Sequence, residues 1–485
     1  MKFALAIFMK RMYNIYYTDL TRKGSDSMDL PKLNVCLLND SFPPLIDGVA
    51  NAVINYANTI QSQLGNATVV TPSFPGYEDE FDFPVLRYSS VDTLKVFGYR
   101  TGYPFGSSML ENLKESNFDI IHSHCPFAST VLGRTLREKS NAPLIMTYHT
   151  KFDEDIKRVI DNPLLVPQIT KWVVLNIYSC DEVWTVSKGA GENLRSIGYE
   201  GEYVIMPNGV DFPKGKADPD GTEELKAEYG LSDDIPTFLF VGRLFWYKGL
   251  RLIFDSLRQL SDKNIKYKFI VVGDGGDRAE MEEYAQKLGI YDNCIFTGAI
   301  NDREELRYYY TASNLFLFPS LYDTNGIVVR EAAACGLPSI LIEGSCAAED
   351  FTQYHNAILT KNNVESFTNN LEFAVAHLTE LKQMGENAMN EIYMSWEDAV
   401  KRAYERYSIV AENKRMGISQ CRENKIQEAL YTSVSEITDS IQKVRSITAT
   451  TKNKGMRFSR ALKRKSKVIT NNIATNIKEL TEKNK

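Results

Sequence analysis

From Leu33 onward, short apolar runs alternate with longer amphipathic stretches. The runs "KLNVCLLND" (32–40), "ATVVTP", "PVLRYS", "FDIIHSH", "PLIMTYHT", "EVWTVS" and "YVIMPNG" have the length of strands, and most end in polar or turn-forming residues. Helical stretches such as "STVLGRTLREK" and "QITKWVVLNIYSC" separate several of them. This alternation predicts a parallel, doubly wound sheet. The pattern breaks around 208–236, where "NGVDFPKGKADPDG" concentrates Gly, Pro and Asp as a linker does. It then restarts with strands "TFLFVGRL", "KFIVVGDG", "CIFTGAI", "LFLFPS" and "PSILIE", separated by helices such as "GLRLIFDSLRQL" and "GIVVREAAACG". The expectation is two α/β domains, 31–208 and 209–394.

The C-terminal pattern is different. "YMSWEDAVKRAYERY" predicts a helix over 395–415, followed by a helical, basic tail over 416–485. In the tail, Ile426, Leu430, Val434, Ile437, Ile441 and Val444 fall at spacings of 4, 4, 3, 4 and 3. That short heptad seam (426–444) suits packing or self-association. Basic residues run from Lys443 to Lys467 with no acid between Asp439 and Glu479, and Ile469, Ile473, Ile477 and Leu480 mark another amphipathic helix. Residues 443–480 therefore suit an anionic membrane surface, where each Lys or Arg contributes about 1 kcal/mol. "RYSSVDTLKVFGYRTGYPF" (87–105) mixes basic and aromatic residues as interfacial segments do. At the other end, the apolar run Phe3–Met9 is cut off by Lys10 and Arg11, too short to span a bilayer. Residues 1–30 read as a flexible extension.

Composition changes this picture little. A hydrophobic fraction of 43% over 485 residues is enough for substantial cores, and a net charge of −6 argues against nucleic acid as a partner of the whole chain. The 7 cysteines are scattered, with no CxxC pair, as expected of reduced thiols in the cytoplasm.

Two such domains joined by a linker face each other across a cleft at the carboxyl ends of their strands, so chemistry is expected there. "FVGRLFWYKG" places Arg243 and Lys248 on a strand-to-helix loop, a pair suited to phosphate. "VVGDGG" supplies Gly273 and Gly275, which let backbone approach a ligand closely, although no P-loop GK[ST] follows. In "DTNGIVVREAAACGLP", Thr324, Asn325 and Gly326 open a helix whose free N–H groups attract a diphosphate. Asp323 lies just outside that end. Glu331 lies further in, within an apolar stretch where a carboxylate needs partners. The bland alternatives are a helix cap for Asp323 and a surface position for Glu331. His122, His124 and Cys125 raise the possibility of zinc, but no spaced partners accompany them, so no metal site is expected. "DED" at 153–155 reads as a solvated helix face.

Together, "PPLIDGVANAV", "IIHSHCPF", "TYHT", "PNGVD", "VGRLFWYKG", "VVGDG" and "FPSLYDTNGIVVREAAACGLP" resemble the retaining GT-B-fold glycosyltransferases of family four, over about 35–395. "FPPLIDGV", "HSHCPF" and "TYHTKFDEDI" look most like enzymes that move glucose onto diacylglycerol-type lipids. The resemblance implies two Rossmann-like doubly wound domains, an acceptor domain first and a nucleotide-sugar domain second, with 395–415 crossing back to the first. It also implies roles. Arg243 and Lys248 hold the diphosphate, Glu331 binds the ribose, Asp323 faces the donor sugar in place of the family's glutamate, and His149 touches the sugar near the reacting centre. Gly48 lies in the loop that approaches the donor phosphates, and Asp47 replaces the first Gly of the family's Gly-Gly, setting a carboxylate near that diphosphate. No metal or other cofactor is implied beyond the co-substrate, UDP-glucose.

The expected function is retaining transfer of a hexose, glucose, from UDP-glucose to a membrane lipid such as diacylglycerol, at the inner face of the cell membrane as a peripheral cytoplasmic protein. Two alternatives stand beside it. One is transfer to a cell-surface glycan or small molecule. The other is a catalytically silent membrane scaffold of the same fold, kept open by Asp47 and Asp323.

Overall fold

A computed structural model describes residues 30–94, 99–104, 113, 116–159 and 166–418. The heptad seam 426–444, the basic segment 443–480 and residues 1–29 of the N-terminal extension lie outside the described residues, as do parts of 87–105.

The first half builds β1 (Asn34–Leu38), β2 (Asn66–Pro72), β3 (Val85–Tyr88), a small antiparallel pair β4 (Ser90–Val91) and β5 (Thr101–Gly102), then β6 (Ile120–Ser123), β7 (Leu144–Tyr148), β8 (Glu182–Thr185) and β9 (Val204–Ile205). Seven of these form one parallel sheet in the order β3-β2-β1-β6-β7-β8-β9. The second half builds β10 (Thr237–Val241), β11 (Lys268–Val272), β12 (Cys294–Gly298), β13 (Leu315–Phe318), β14 (Ser339–Ile342) and β15 (Ala357–Thr360), ordered β12-β11-β10-β13-β14-β15, again parallel. Both strand orders run outward from the first strand of the half and reverse there. That leaves a crevice beside β1 and beside β10 at the carboxyl ends. β15, the run "AILT", was not anticipated.

The second sheet is apolar on both faces because its side chains alternate. Leu239, Val241, Ile270, Phe316 and Phe318 enter one core, while Phe238, Phe240, Phe269, Leu315 and Leu317 enter the other. A parallel sheet with helices on both sides demands this.

The helices that position the site are α1 (Gly48–Thr59), α2 (Ala128–Ser140), α3 (Phe152–Val159), α4 (Val166–Tyr178) and α5 (Lys188–Ser196) on the first sheet. On the second they are α6 (Arg303–Ala312) and α7 (Ile327–Ala334). The last described helix, α8 (Trp396–Arg415), packs on the first half. Its Arg406 forms a bidentate pair with buried Glu182 on β8 (2.8 and 2.6 Å). Its Tyr404 hydroxyl accepts from Leu33 N (2.6 Å) and donates to the Leu64 carbonyl (3.1 Å). Removing either member of the Arg406–Glu182 pair strands a buried charge, at a cost on the order of 3–5 kcal/mol. Among the described residues, no helix is long and apolar enough to cross a membrane.

Candidate active site

A cavity of about 1410 Å³ opens between the carboxyl ends of the two sheets, with walls from both halves. Pockets for one drug-sized ligand span roughly 300–1,000 Å³, so there is room for more than one.

On the second-sheet wall, Arg243 follows β10 and Lys248 closes the same loop. Arg243 is exposed, with no ion-pair partner among the described residues. Lys248 donates to both oxygens of Asp323 (2.7 and 2.9 Å). Asp323 is therefore an ion-pair partner, and Gly326, not Asp323, sits at the cap position of α7. The first residues of α7, Ile327 and Val328, line the cavity, and a first helical turn leaves its N–H groups without internal acceptors. This wall thus carries two cations and a helix amino end, all favourable to a polyanion.

On the first-sheet wall, α2, α3 and α4 present Phe127 (at the amino end of α2), Val131, Phe152, Ile156, Ile169, Trp172 and Leu175, with Trp172 also 44% exposed at the surface. Arg134, whose Nη1 donates to Asn176 Oδ1 (3.0 Å), interrupts this apolar lining. Nearer the sheet, Asp40 and the histidines His124 and His149 line the cavity from the ends of β1, β6 and β7. His124 Nδ1 lies 2.9 Å from His149 Nε2. Burial holds all of them toward neutrality. The imidazoles of His122 and His124 fall well below their ordinary value and His149 falls to about 3, while the Asp40 carboxyl is raised.

The walls are stitched together around Thr324. Its hydroxyl donates to the His149 carbonyl (2.5 Å), and its own carbonyl accepts from Ser187 Oγ (2.5 Å). Asn325 Nδ2 donates to the Val186 carbonyl (2.9 Å), and Lys151 Nζ to the Leu321 carbonyl (2.8 Å). Glu349 accepts from the backbone N–H of Lys188 (2.8 Å) and of Gly189, at the amino end of α5. Arg158 stacks over Tyr247 at 4.1 Å.

Family signatures and relatives fit this architecture. The signature described as Glycosyltransferase Family 4 matches residues 46–213, and that described as Glycosyl transferases group 1 matches residues 221–391. Together they span more than two thirds of the chain. The chain is a family-four glycosyltransferase. The alpha-monoglucosyldiacylglycerol synthase of Streptococcus pneumoniae is 26% identical over 312 residues, 64% of this chain and 70% of that one. The synthase of the same name from Acholeplasma laidlawii is 23% identical over 72% of this chain and 88% of its own. Among solved structures, Anabaena HepE in complex with UDP-glucose superposes with a TM-score of 0.60 at 16% identity, over 78% of this chain and all of that one. The sucrose-phosphate synthase of Thermosynechococcus elongatus gives 0.62 at 19%, over 78% and 99%. At those identities the structural likeness shows the fold, GT-B. The named transferases among the relatives make the protein a hexosyltransferase.

In this hexosyltransferase, the cavity brings together Gly48, His149, Arg243, Lys248, Asp323, Thr324, Asn325 and Gly326. Three expected residues lie elsewhere. Gly273 and Gly275 do not line the cavity. A Cβ on Gly273 would sit 1.9 Å from the Gly242 carbonyl oxygen, and one on Gly275 would sit 2.4 Å from that of Leu244. These glycines admit the neighbouring Arg243 loop rather than a ligand. Glu331 is also absent from the lining, because it sits a turn deeper in α7, against α6. Its Oε1 accepts from Arg303 (2.6 Å) and its Oε2 from the Tyr310 hydroxyl (2.9 Å).

Two further expectations change. Asp47 does not point its charge at the cavity unshielded. It caps α1, accepting from Val49 N (2.9 Å), Ala50 N (2.8 Å) and Ser41 Oγ (2.8 Å). The "DED" run is a solvated face only in part, since Asp155 is exposed while Asp153 is not. Asp153 is buried beside Asn193 and Lys157, and Asp155 lines the cavity. His122 packs in the core, bonded to the Tyr407 hydroxyl (2.5 Å) and Thr147 Oγ1 (2.7 Å). Among the described residues, no three His, Cys, Asp or Glu are grouped to hold a metal. Asp40 and His124 were missed as lining residues. Their only sequence signal is a polar residue placed just past an apolar strand.

Proposed function

We propose that the protein transfers glucose from UDP-glucose to a hydroxyl of a diacylglycerol-type lipid, with retention of anomeric configuration. The observation that carries the lipid is the apolar wall from Phe127 to Leu175, continuous with the charged pole around Arg243. A glycan or a small polar acceptor has no use for seven apolar side chains at the reacting end of the cleft. A diacylglycerol has hydrocarbon to bury there at roughly 25 cal/mol per Å². The two relatives named alpha-monoglucosyldiacylglycerol synthase support the same acceptor. The basic segment 443–480 gives the sequence-level reason for docking at an anionic membrane surface, and 426–444 for self-association.

In the mechanism, the bond from the anomeric carbon to phosphate lengthens, leaving an oxocarbenium-like sugar and a departing diphosphate. Arg243, Lys248 and the amino end of α7 stabilise the charge that grows on the leaving group. Each such donor, preorganised in a water-poor cleft, is worth on the order of 3 kcal/mol. Asp323 positions Lys248 and faces the sugar, and His149 holds the sugar near the reacting carbon. Gly48, with open space where a Cβ would be, lets α1 approach the phosphates. The acceptor enters on the face the diphosphate leaves, and a leaving-group oxygen takes its proton. A ribose hydroxyl would share Glu331 Oε1 with Arg303, since a carboxylate oxygen accepts more than one hydrogen bond.

The test is turnover of UDP-glucose with anionic vesicles that do or do not contain diacylglycerol. Glucosyl-lipid formed only with diacylglycerol is the expected result. Turnover independent of lipid overturns the acceptor. Absence of turnover with any nucleotide sugar overturns the reaction and favours the scaffold.

A further inference from the structure

His149 is held from two sides. Its carbonyl accepts from Thr324 of the opposite wall, and its Nε2 meets His124 Nδ1 at 2.9 Å, the two rings lying 22° from parallel. Two neutral imidazoles that share a hydrogen bond have one proton between the facing nitrogens, so one ring must donate and the other accept. Which does so is decided at the far side of His124. Its Nε2 is buried and has no hydrogen-bond partner among the described residues, with the rings of Tyr56 and His122 packed on it. Orphaned buried N–H donors are rare in folded proteins, rarer than under-satisfied acceptors. The His124 proton therefore sits on Nδ1, where it is bonded. His149 must then accept at Nε2 and carry its own proton on Nδ1. That atom has no partner among the described residues, is not sealed off from the cavity, and belongs to a residue that lines it.

We infer that His124 is a positioning residue that fixes His149 in the Nδ1–H form, so that His149 faces the sugar end of the cleft as a hydrogen-bond donor and not as a base. The inference rests on the transferase reading only for its kinetic consequence, since the tautomer belongs to the resting protein. A neutral donor there grips a hydroxyl oxygen of the transferred sugar without adding charge opposite the cationic wall. It also leaves the acceptor's proton to the leaving group. Only a nitrogen without a proton could accept it, and His149 Nε2 is occupied by His124.

Histidine-selective ¹⁵N labelling of the full chain tests this directly. There are 5 histidines, so His124→Asn and His149→Asn spectra assign the pair. Both rings are expected as Nδ1–H tautomers at neutral pH. A protonated Nε2 on His149 overturns the inference, whatever the activity assays show. Kinetics supply the second arm. An asparagine amide can occupy the place of Nδ1 and donate to His149, whereas phenylalanine fills the space without donating. His124→Phe is expected to lower kcat on the order of 10- to 100-fold, as loss of an orienting partner does, with donor KM moving less. His124→Asn is expected to recover most of that loss. A folded His124→Phe protein with native kcat, or an Asn variant no better than the Phe one, reduces His124 to packing and refutes the assignment. If no nucleotide sugar is turned over at all, the transferase reading fails while the spectra still decide the tautomer.

Discussion

The two walls of the cleft are made of unlike chemistry. The second sheet ends in charge: Arg243, the Lys248–Asp323 pair and the amino end of α7. The first sheet ends in a largely apolar surface with two histidines that burial keeps uncharged and a carboxyl whose pKa burial raises, broken by Arg134 and Asp155. The difference follows the reaction. Cleavage of a sugar–phosphate bond moves negative charge toward one side, where fixed cations and helix dipoles act most strongly in a dry cleft. On the other side, any full charge would have to be desolvated and would compete with those cations. In the proposed reaction, cationic groups stand where charge develops, while the opposite wall is mainly apolar, interrupted by Arg134 and Asp155.

The largest effect should come from breaking the charged wall. Arg243→Ala is expected to lower turnover on the order of 10²- to 10³-fold, comparable to the loss of one preorganised donor. Arg243 is exposed and makes no ion pair among the described residues, so the thermal midpoint should stay near native. Near-native turnover with UDP-glucose removes Arg243 from the site.

The apolar wall should break differently. Trp172→Ala deletes a half-exposed ring at the rim of the apolar wall. Losing part of that contact costs about 1–2 kcal/mol, so the KM for diacylglycerol should rise roughly tenfold. At saturating lipid, kcat should remain within a factor of about two. A kcat effect at unchanged lipid KM would place Trp172 outside the acceptor path and weaken the contrast between the walls.

The neutrality of the first wall predicts a pH dependence of stability. In the folded protein His149 titrates at about 3, and His122 and His124 are likewise depressed by burial. Unfolded, all three titrate near 6.5. Between those values the unfolded chain binds more protons. Stability is therefore intact above about 6.5 and declines as the pH falls toward 3, by up to about 1.4 kcal/mol per pH unit for each histidine. Asp40 and Asp155, both raised by burial, gain stability on acidification, but they are two groups of this wall against three. The thermal midpoint should drop clearly between about pH 7 and pH 5. A flat profile would mean that the wall carries charge, and a shallower one is expected in His149→Asn.

What the sequence disclosed follows from the range of each interaction. Strand and helix periods are local, and the element order could be read for both halves. Arg243, Lys248 and Asp323 could be read because a strand end and a helix start are themselves local signals. The partners could not. "REAAAC" says that a buried Glu331 needs company, but nothing in it says that Arg303, 28 residues away, supplies it. "HSH" does not disclose that its second histidine meets a ring 25 residues on. "GDGG" announces close approach without saying whether ligand or chain approaches, and here it is the chain. "DED" was read only in part for the same reason. Its charge run is surface-like, but α5 brings Asn193 to Asp153, and the fold turns Asp155 to the cavity.

The smallest effect should appear where the walls meet far from the chemistry. Glu349 reaches from the second half to the first turn of α5, accepting from Lys188 N and Gly189 N. It acts there as a cap supplied by the opposite wall, combining charge at a helix amino end with two hydrogen bonds. Glu349→Gln keeps the shape and one acceptor oxygen and removes the charge, so the loss should be about 0.3–1 kcal/mol. If the clasp favours the closed cleft over an open one, that energy enters the closing equilibrium. The KM for UDP-glucose should then rise by roughly two- to fivefold, and kcat should hardly move. The thermal midpoint separates this from simple destabilisation. A KM change with no melting shift assigns Glu349 to closure, whereas a melting shift with native KM makes it a cap of α5 alone and leaves Thr324 and Asn325 to hold the two chemistries face to face.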